Sequence, residues 1–145
     1  IARRQRQMCI RDRVVMNKNN SLTNIIGIGN DVIEVKRIER AINKYKNKFL
    51  QRLFTKKEIE KSYTYKDPTP YFAGRFAAKE AIAKALGVGF GHSLSWLDIE
   101  ILNSPSGQPI VELSKSSKRY FNSPNILISI SHTKLVAVAV ALRIK

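Results

Sequence analysis

The sequence predicts an α+β domain that is built around an antiparallel β-sheet. Apolar strand patterns occupy residues 25–31 and residues 126–144, whereas helical patterns are grouped between them. This separation of strands from helices favours an antiparallel sheet over an alternating α/β fold. A chain of 145 residues also fits one domain by size and can bury a sizeable core. We therefore expect a single domain over residues 16–145.

Shorter elements are predicted from local signals between the two ends. Thr55 and Glu58 have the spacing of a capping box, which opens a helix of about two turns. Residues 96–102 alternate as a strand, and residues 110–113 form the returning strand after a turn rich in proline, serine and glycine. Residues 115–121 are expected to form a short helix.

The first fifteen residues differ from the rest of the chain. They contain five arginines and one aspartate, with no clear hydrophobic period. We expect that Met16 is the natural start and that residues 1–15 are a non-native or disordered basic extension. The alternative is a basic tail that binds anionic surfaces.

The composition, with 43% hydrophobic and 26% charged residues, is that of a soluble globular protein. No apolar run reaches the roughly 18 residues that a membrane-spanning helix needs, so no membrane partner is expected. Cys9 is the only cysteine, which excludes an internal disulfide and suits a reducing, cytoplasmic location. With one cysteine and two distant histidines, any metal must be held by oxygen ligands, which favours Mg²⁺ or Mn²⁺.

Residues 72–89, FAGRFAAKEAIAKALGVG, predict an amphipathic helix that ends at Gly87. At 100° per residue, an apolar stripe lies beside a face of small side chains. The stripe contains Phe72, Phe76, Ile82, Ala83 and Leu86, and the small face contains Ala73, Ala77 and Ala81. Glu80 and Lys84 lie one turn apart between the two, either as a surface pair worth roughly a few tenths of a kcal/mol or as part of a binding site. Lys79 falls inside the apolar stripe, so it must either snorkel to solvent or meet an anion.

Two other segments carry polar residues where apolar strands are predicted to end. The first strand ends at Asp31, and an acid at the end of a buried strand is costly unless it is paired or bound to a cation. The strand at residues 126–130 leads into Ser131, His132, Thr133 and Lys134, which are expected to form the tip of a hairpin. His132 has no carboxylate neighbour in the sequence, so a binding role is favoured over a catalytic one.

Three motifs in this order, GIGNDVIEVKRI, FAGRFAAKEAIAKALGVG and ISISHT, resemble the holo-acyl-carrier-protein synthases. These are the small members of the phosphopantetheinyl transferases, and the resemblance extends from about residue 25 to the end of the chain. It implies a sheet packed on a long helix and a homotrimer. The implied reaction moves the 4′-phosphopantetheine arm of coenzyme A onto a serine of apo-acyl carrier protein, for fatty acid biosynthesis.

The resemblance also implies roles for individual residues. Asp31 and Glu80 match the ligands of Mg²⁺, and Lys84 is placed to reach the phosphates of coenzyme A. The group that accepts the serine proton stays open between Glu80 and a water bound to the metal. Contacts with coenzyme A, across a subunit boundary, are implied for the tip residues Ser131, His132 and Thr133.

The net charge of +15 is concentrated in part at residues 34–61, which hold ten lysines or arginines and four glutamates. The pattern predicts a helix with a basic side, which attracts an acidic partner. Its proposed contact residues are Arg37, Lys44, Lys48, Phe49 and Arg52, and contact with coenzyme A is the alternative role for Arg37, which closely follows Asp31. The acidic acyl carrier protein is the implied partner; a solvated basic face is the plain alternative. A small nucleic-acid-binding domain is the rival function, but it leaves Asp31 and Glu80 unexplained, so no nucleic acid partner is expected.

Overall fold

The structure is a computed structural model that describes residues 24–145. The predicted extension at residues 1–15 and the predicted start at Met16 lie outside the described residues. The elements are β1 (Ile25–Glu34), α1 (Val35–Tyr45), α2 (Asn47–Leu53), α3 (Lys56–Ser62), α4 (Thr69–Leu86), a 3₁₀ turn (Trp96–Asp98), β2 (Ile99–Asn103), β3 (Pro109–Leu113), α5 (Lys115–Tyr120), β4 (Asn125–His132) and β5 (Val136–Ile144). Within the described residues, no helix is both long and apolar enough to cross a membrane.

An antiparallel sheet with the strand order β1-β5-β4 forms one side of the molecule, and α4 packs across it. β5 is central because β1 pairs with one of its edges and β4 with the other. The side chains that β5 turns toward α4 are Ala137, Ala139 and Ala141, all buried. The α+β prediction, with a sheet packed on a long helix, is confirmed. A separate two-stranded ladder joins β2 to β3.

Helix α4 is buried on nearly all sides, so the prediction of an amphipathic helix is wrong in its geometry. Thirteen of its 18 residues are buried. The sheet covers one side, while α1 contacts another part of the helix. Phe76, Glu80 and Lys84, spaced four residues apart, are only half-buried. The predicted end is confirmed, since Gly87 adopts the left-handed conformation with φ 79°.

The predicted basic helix is two short helices, α1 and α2, and the helix predicted from the capping box follows them as α3. α1 ends before Lys46, which has a φ of 50°, and α2 starts directly after it. A positive φ in a residue other than glycine interrupts the helix, and the sequence carries no local signal for it. The capping box is confirmed, because Thr55 Oγ1 accepts from the Glu58 amide and Glu58 accepts from the Thr55 amide.

Two predicted strand boundaries also need correction. β1 continues through Asp31 to Glu34, since Val32 is exposed and Ile33 is buried in the alternation of a strand. Asp31 therefore lies inside a strand and not at its end. The predicted strand at residues 96–102 begins with a 3₁₀ turn, and only its second half pairs as β2.

Candidate active site

Two glycines bring β1 into direct contact with α4. A Cβ atom at Gly29 would lie 2.0 Å from the backbone oxygen of Ala81 and 2.8 Å from Lys84 Cβ. A Cβ atom at Gly27 would lie 2.1 Å from the oxygen of Ala85. No side chain fits at either position, so the strand backbone rests on the helix backbone. Asp31 is two residues beyond Gly29 on the same face of the strand, which places it beside the turn of α4 that carries Lys84.

An ion pair joins the strand and the helix at this point. Lys84 Nζ donates to Asp31 Oδ1 at 3.0 Å and to the carbonyl oxygen of Asn30 at 2.7 Å. The side chains of Asp31 and Lys84 are 16% and 23% exposed. Glu80 lies one helical turn before Lys84 on the same half-buried strip. Lys84 thus reaches across to another element, and a simple surface pair within the helix is not a sufficient description of it.

The electrostatics of Asp31 favour a cation beside it. Burial raises the pKa of its carboxyl above the ordinary value of 3.8, although the hydrogen bond from Lys84 and the charges of Lys84 and Arg37 act to lower the pKa. Burial has the larger effect because a desolvated carboxylate loses its hydration. A further positive charge at this site would stabilise the ionised form. Arg37, at the start of α1, is close enough to contribute to this field.

The chemistry of the donor set fits Mg²⁺ better than a metal that needs a closed protein cage. Asp31 and Glu80 offer carboxylate oxygens, which are the ligands that a hard cation prefers. Among residues 24–145, no group of three or more histidine, cysteine or acidic side chains is placed to hold a metal. Mg²⁺ commonly uses one or two carboxylates and takes its other ligands from water and substrate phosphates. The residues present therefore fit a magnesium ion that is completed by a phosphorylated ligand.

A cleft of about 450 Å³ opens on the other side of α4, against the edge strand β4. Its lining includes Tyr71, Arg75, Asn103, Ser129 and His132. The Arg75 side chain is buried and donates from Nε to the carbonyl oxygen of Ile101 at 3.0 Å and from Nη2 to Asn103 Oδ1 at 2.5 Å. Its guanidinium group lies 4.7 Å from the centre of the Tyr71 ring. A fixed cation at the wall of a cleft is suited to an anionic ligand.

Arg75 was not predicted from the sequence as a site residue. The available signal was an arginine one turn before Lys79 on a helix of mostly small and apolar residues. Tyr71 also supports this wall, since its hydroxyl donates to the Glu58 carbonyl oxygen at 3.0 Å. Burial raises the pKa of the Tyr71 hydroxyl to about 12, so it keeps its proton and its donor role at neutral pH.

The predicted hairpin tip divides between two faces of the sheet. His132 is at the end of β4 and lines the cleft, whereas Ser131 pairs with Val138 on the opposite, exposed face. Both belong to the strand, so the prediction that they form the tip is wrong, and the turn begins at Thr133. Thr133 Oγ1 accepts from the amides of Leu135 at 3.1 Å and Val136 at 3.2 Å, which shapes that turn.

Helix α4 separates the carboxylate site from the cleft within one chain. Asp31 on β1 and Ile130 on β4 both pair with Ala139 of the central strand β5. The two residues are therefore separated by two strand spacings, which is about 10 Å across the sheet. Arg75 and Glu80 point about 140° apart around the helix axis. The two regions therefore open on opposite sides of α4.

The predicted partner-binding residues are spread over α1 and α2. Arg37, Lys44, Lys48 and Arg52 are exposed, and Lys44 Nζ lies 5.0 Å from the centre of the Tyr45 ring. Phe49 is partly buried and contacts Phe54 edge-on, with 6.4 Å between ring centres. The surface of α1 and α2 thus carries these four exposed cations together with a partly buried aromatic side chain.

Comparison with known proteins places these motifs in one family. The model of the 4′-phosphopantetheinyl transferase superfamily matches residues 27–139, which include Asp31, all of α4 and β4. The chain belongs to this superfamily. It is similar to the holo-[acyl-carrier-protein] synthase of Protochlamydia amoebophila, with 52% identity over 116 residues that cover 80% of this chain and 95% of that protein.

Solved structures support the assignment to the phosphopantetheinyl transferases. The holo-[acyl-carrier-protein] synthase of Helicobacter pylori, solved in complex with coenzyme A, has 43% identity and a TM-score of 0.73, covering 80% of this chain and 98% of that chain. The synthase of Bacillus anthracis, solved in complex with CoA (3′,5′-ADP), has 39% identity and a TM-score of 0.72, covering 83% and 97%. The predicted family and fold are therefore confirmed.

Proposed function

We propose that this phosphopantetheinyl transferase is a holo-[acyl-carrier-protein] synthase that acts in fatty acid biosynthesis. It transfers 4′-phosphopantetheine from coenzyme A to a serine of apo-acyl carrier protein. The serine oxygen bonds to the phosphorus that carries the pantetheine, the pyrophosphate bond breaks, and adenosine 3′,5′-bisphosphate leaves. The observation that carries this proposal is the contact of Gly29 with α4, which sets Asp31 beside Lys84 and the turn of Glu80. High identity to proteins with this name supports it.

The roles of the site residues follow from their charges. Asp31 and Glu80 would hold Mg²⁺, which, when bound, neutralises the charge that develops on the pyrophosphate oxygens. Lys84 holds Asp31 in place and provides a cation within reach of the same phosphates. Arg37 adds positive charge from α1. The chain thus positions a polyanionic substrate with two cations of its own.

We assign the nucleotide end of coenzyme A to the cleft beside β4. Arg75 and His132 line that cleft, and an adenosine phosphate is an anion that both can bind. Thr133 and Ser131, both exposed, are proposed to contact coenzyme A beyond the cleft, Thr133 from the turn after His132 and Ser131 from the outer face of the sheet. Since α4 separates the cleft from Asp31 in one chain, a single coenzyme A would use the cleft of one subunit and the carboxylates of the next.

The outer face of the sheet supports a homotrimer. It exposes apolar side chains on all three strands, including Ile28, Val32, Leu127, Val138 and Val140. Val32, which is 63% exposed, pairs with Val138 on the next strand, so the patch is continuous. Monomeric proteins rarely leave such a patch open, and packing three copies of this face together would bury it. Val138→Asp is expected to yield a monomer in analytical ultracentrifugation, and a trimer of that variant would contradict the assignment.

We further propose that acidic acyl carrier protein docks on α1 and α2. The exposed side chains of Arg37, Lys44, Lys48 and Arg52 provide the charge, and Phe49 provides an apolar contact between them. A cytoplasmic location is part of this proposal, since Cys9 is the only cysteine and suits a reducing compartment.

The transfer assay that tests the proposal uses Asp31→Ala and Glu80→Ala, with Glu60→Ala as the matched control. Glu60 is an exposed acid whose pair with Lys56 spans 3.9 Å. Each site variant is expected to lose about 10²-fold or more in rate, because it removes a central electrostatic contact, while the control retains normal turnover. Thermal stabilisation by coenzyme A with Mg²⁺, and none by an oligonucleotide, is expected for the wild type. Normal turnover in a folded Asp31→Ala variant would show that the site is misplaced.

A further inference from the structure

A fully buried ion pair lies next to the candidate site and has no part in the proposed chemistry. The side chains of Lys79 and Glu58 are both 0% exposed. Lys79 Nζ donates to Glu58 Oε2 at 2.8 Å, to the Leu53 carbonyl oxygen at 2.8 Å and to the Trp96 carbonyl oxygen at 3.1 Å. The sequence predicted that Lys79 either extends to solvent or pairs with an anion, and the structure shows that it pairs with the Glu58 carboxylate. All three of its donor positions are used.

Glu58 extends the network to two more elements. Its Oε1 accepts from the Ile101 amide at 2.9 Å, and its Oε2 accepts from the Thr55 amide at 2.7 Å. Thr55 Oγ1 in turn donates to Glu100 Oε2 at 2.7 Å. The pair therefore connects α4 to the end of α2, the start of α3, the 3₁₀ turn and β2.

The position of this network relates two surfaces that the reaction must align. Lys79 directly precedes Glu80 in α4, while its acceptor Leu53 directly follows Arg52 in the chain. Lys48, Phe49 and Arg52 belong to α2, whose last carbonyl group is fixed by Lys79. The Lys79 side chain thus links α2, the proposed docking helix, directly to α4, the helix that carries Glu80.

Stability alone does not require a charged pair at this place. Replacing a buried ion pair by neutral side chains of similar volume is often neutral or stabilising, because desolvation of two charges is costly. What the charged pair adds is direction, since it binds four backbone groups, those of Leu53, Thr55, Trp96 and Ile101, through charge-assisted hydrogen bonds. The cost of burial suggests a gain other than stability.

We propose that Lys79 is a positioning residue that, paired with Glu58 and bound to the Leu53 carbonyl group, holds the carrier-docking helix α2 in register with Glu80. This inference rests on the proposed function and adds to it a residue that aligns the carrier-docking helix with the metal ligand Glu80. The carrier serine reaches the pyrophosphate only if both surfaces keep their relative position. A misplacement of about 1 Å costs on the order of 10²-fold in rate.

The test uses the neutral double variant Lys79→Met with Glu58→Gln, assembled and assayed with coenzyme A, Mg²⁺ and apo-acyl carrier protein. The kcat is expected to fall by about 10²-fold. The separate dissociation constants of coenzyme A with Mg²⁺ and of carrier protein are expected to stay within about twofold, because each surface is intact by itself. A role in stability alone would lower the melting temperature without this division between kcat and binding.

Lys118→Met is the matched control, since Lys118 forms an exposed ion pair with Glu112 away from the docking surface. It is expected to leave kcat and both affinities unchanged. If the double variant fails to assemble, Glu58→Gln alone retains Lys79 with its two carbonyl acceptors and is expected to lose about tenfold in kcat.

Several results would overturn the proposal. These are a normal kcat in either assembled variant, an equal loss of affinity for both substrates, or failure of both variants to fold. Failure of the function itself is distinguishable, because the wild type would then transfer no phosphopantetheine at all.

Discussion

Gly29→Ala is expected to damage both the stability and the activity of the protein. The new Cβ atom would lie 2.0 Å from the Ala81 backbone oxygen, whereas real Cβ atoms essentially never approach below 3.0 Å. Strand and helix must therefore separate by about 1 Å, and no rotamer can relieve a clash with backbone. Overpacking of this kind costs about 3 kcal/mol, which for a chain of this size lowers the melting temperature by roughly 10 °C.

The same separation moves Asp31 away from the turn of Glu80. A shift of about 1 Å at a reacting centre costs on the order of 10²-fold in kcat/KM. Gly89→Ala is the matched control, because a Cβ atom there meets nothing within 4 Å and the backbone needs no positive φ. The control is expected to be neutral or slightly stabilising, since alanine restricts the unfolded chain.

Calorimetry and a transfer assay on the two variants decide the matter. A Gly29→Ala variant that melts within about 2 °C of the control and turns over within about threefold of it would refute the reasoning. It would mean that β1 and α4 separate without cost, and that the glycine pair is not what positions the site.

Two further predictions concern charge. Lys48→Glu with Arg52→Glu is expected to raise the KM for carrier protein several-fold and leave the KM for coenzyme A unchanged, and the wild-type rate at low carrier concentration should fall as salt rises from about 0.05 to 0.5 M; equal effects on both substrates would count against docking on α2. At Asp98, burial opposes ionisation, but hydrogen bonds from the Ser114 hydroxyl at 2.6 Å and the Ser95 amide at 2.8 Å outweigh it, and the pKa lies below 3.8. The stabilisation that ionised Asp98 contributes is fully present above pH 3.8 and is lost as the pH falls through the lower pKa of the folded state. The Asp98→Asn variant should therefore have a lower melting temperature than the wild type at pH 7, and the difference should shrink in acid. A difference in melting temperature that does not depend on pH would contradict the assignment.

Local signals in the sequence predicted most of the elements in their order, apart from the break between α1 and α2 and the 3₁₀ turn. The stop of α4 at Gly87 and the capping box at Thr55 follow from backbone requirements that one or two residues express. The structure brings together Asp31 and Lys84, two residues that the motifs assigned to one site. Whether Glu80 and the tip residues act as proposed stays a prediction.

Long-range contacts account for what the sequence did not predict. Alanine fits both a solvent-facing and a core position, so the pattern of α4 could not show that the helix is covered on nearly all sides. The burial of Lys79 and Arg75 could not be read from the local sequence, because their partners Glu58 and Ile101 lie 21 and 26 residues away in the chain. The break at Lys46, with its φ of 50°, could not be predicted because lysine as a residue type does not favour that backbone conformation.

The position of α4 between the carboxylates and the cleft determines how much activity an assembly of two different inactive variants recovers. If each working site draws one half from each of two neighbouring chains, then a lesion at Asp31 and a lesion at Arg75 fall in different halves. Two inactive variants that are mixed before assembly would then restore roughly a quarter of the sites, since each half is intact with even odds. Dilution well below the dissociation constant of the assembly would inactivate the sites, because each site would lose the half that the neighbouring chain supplies.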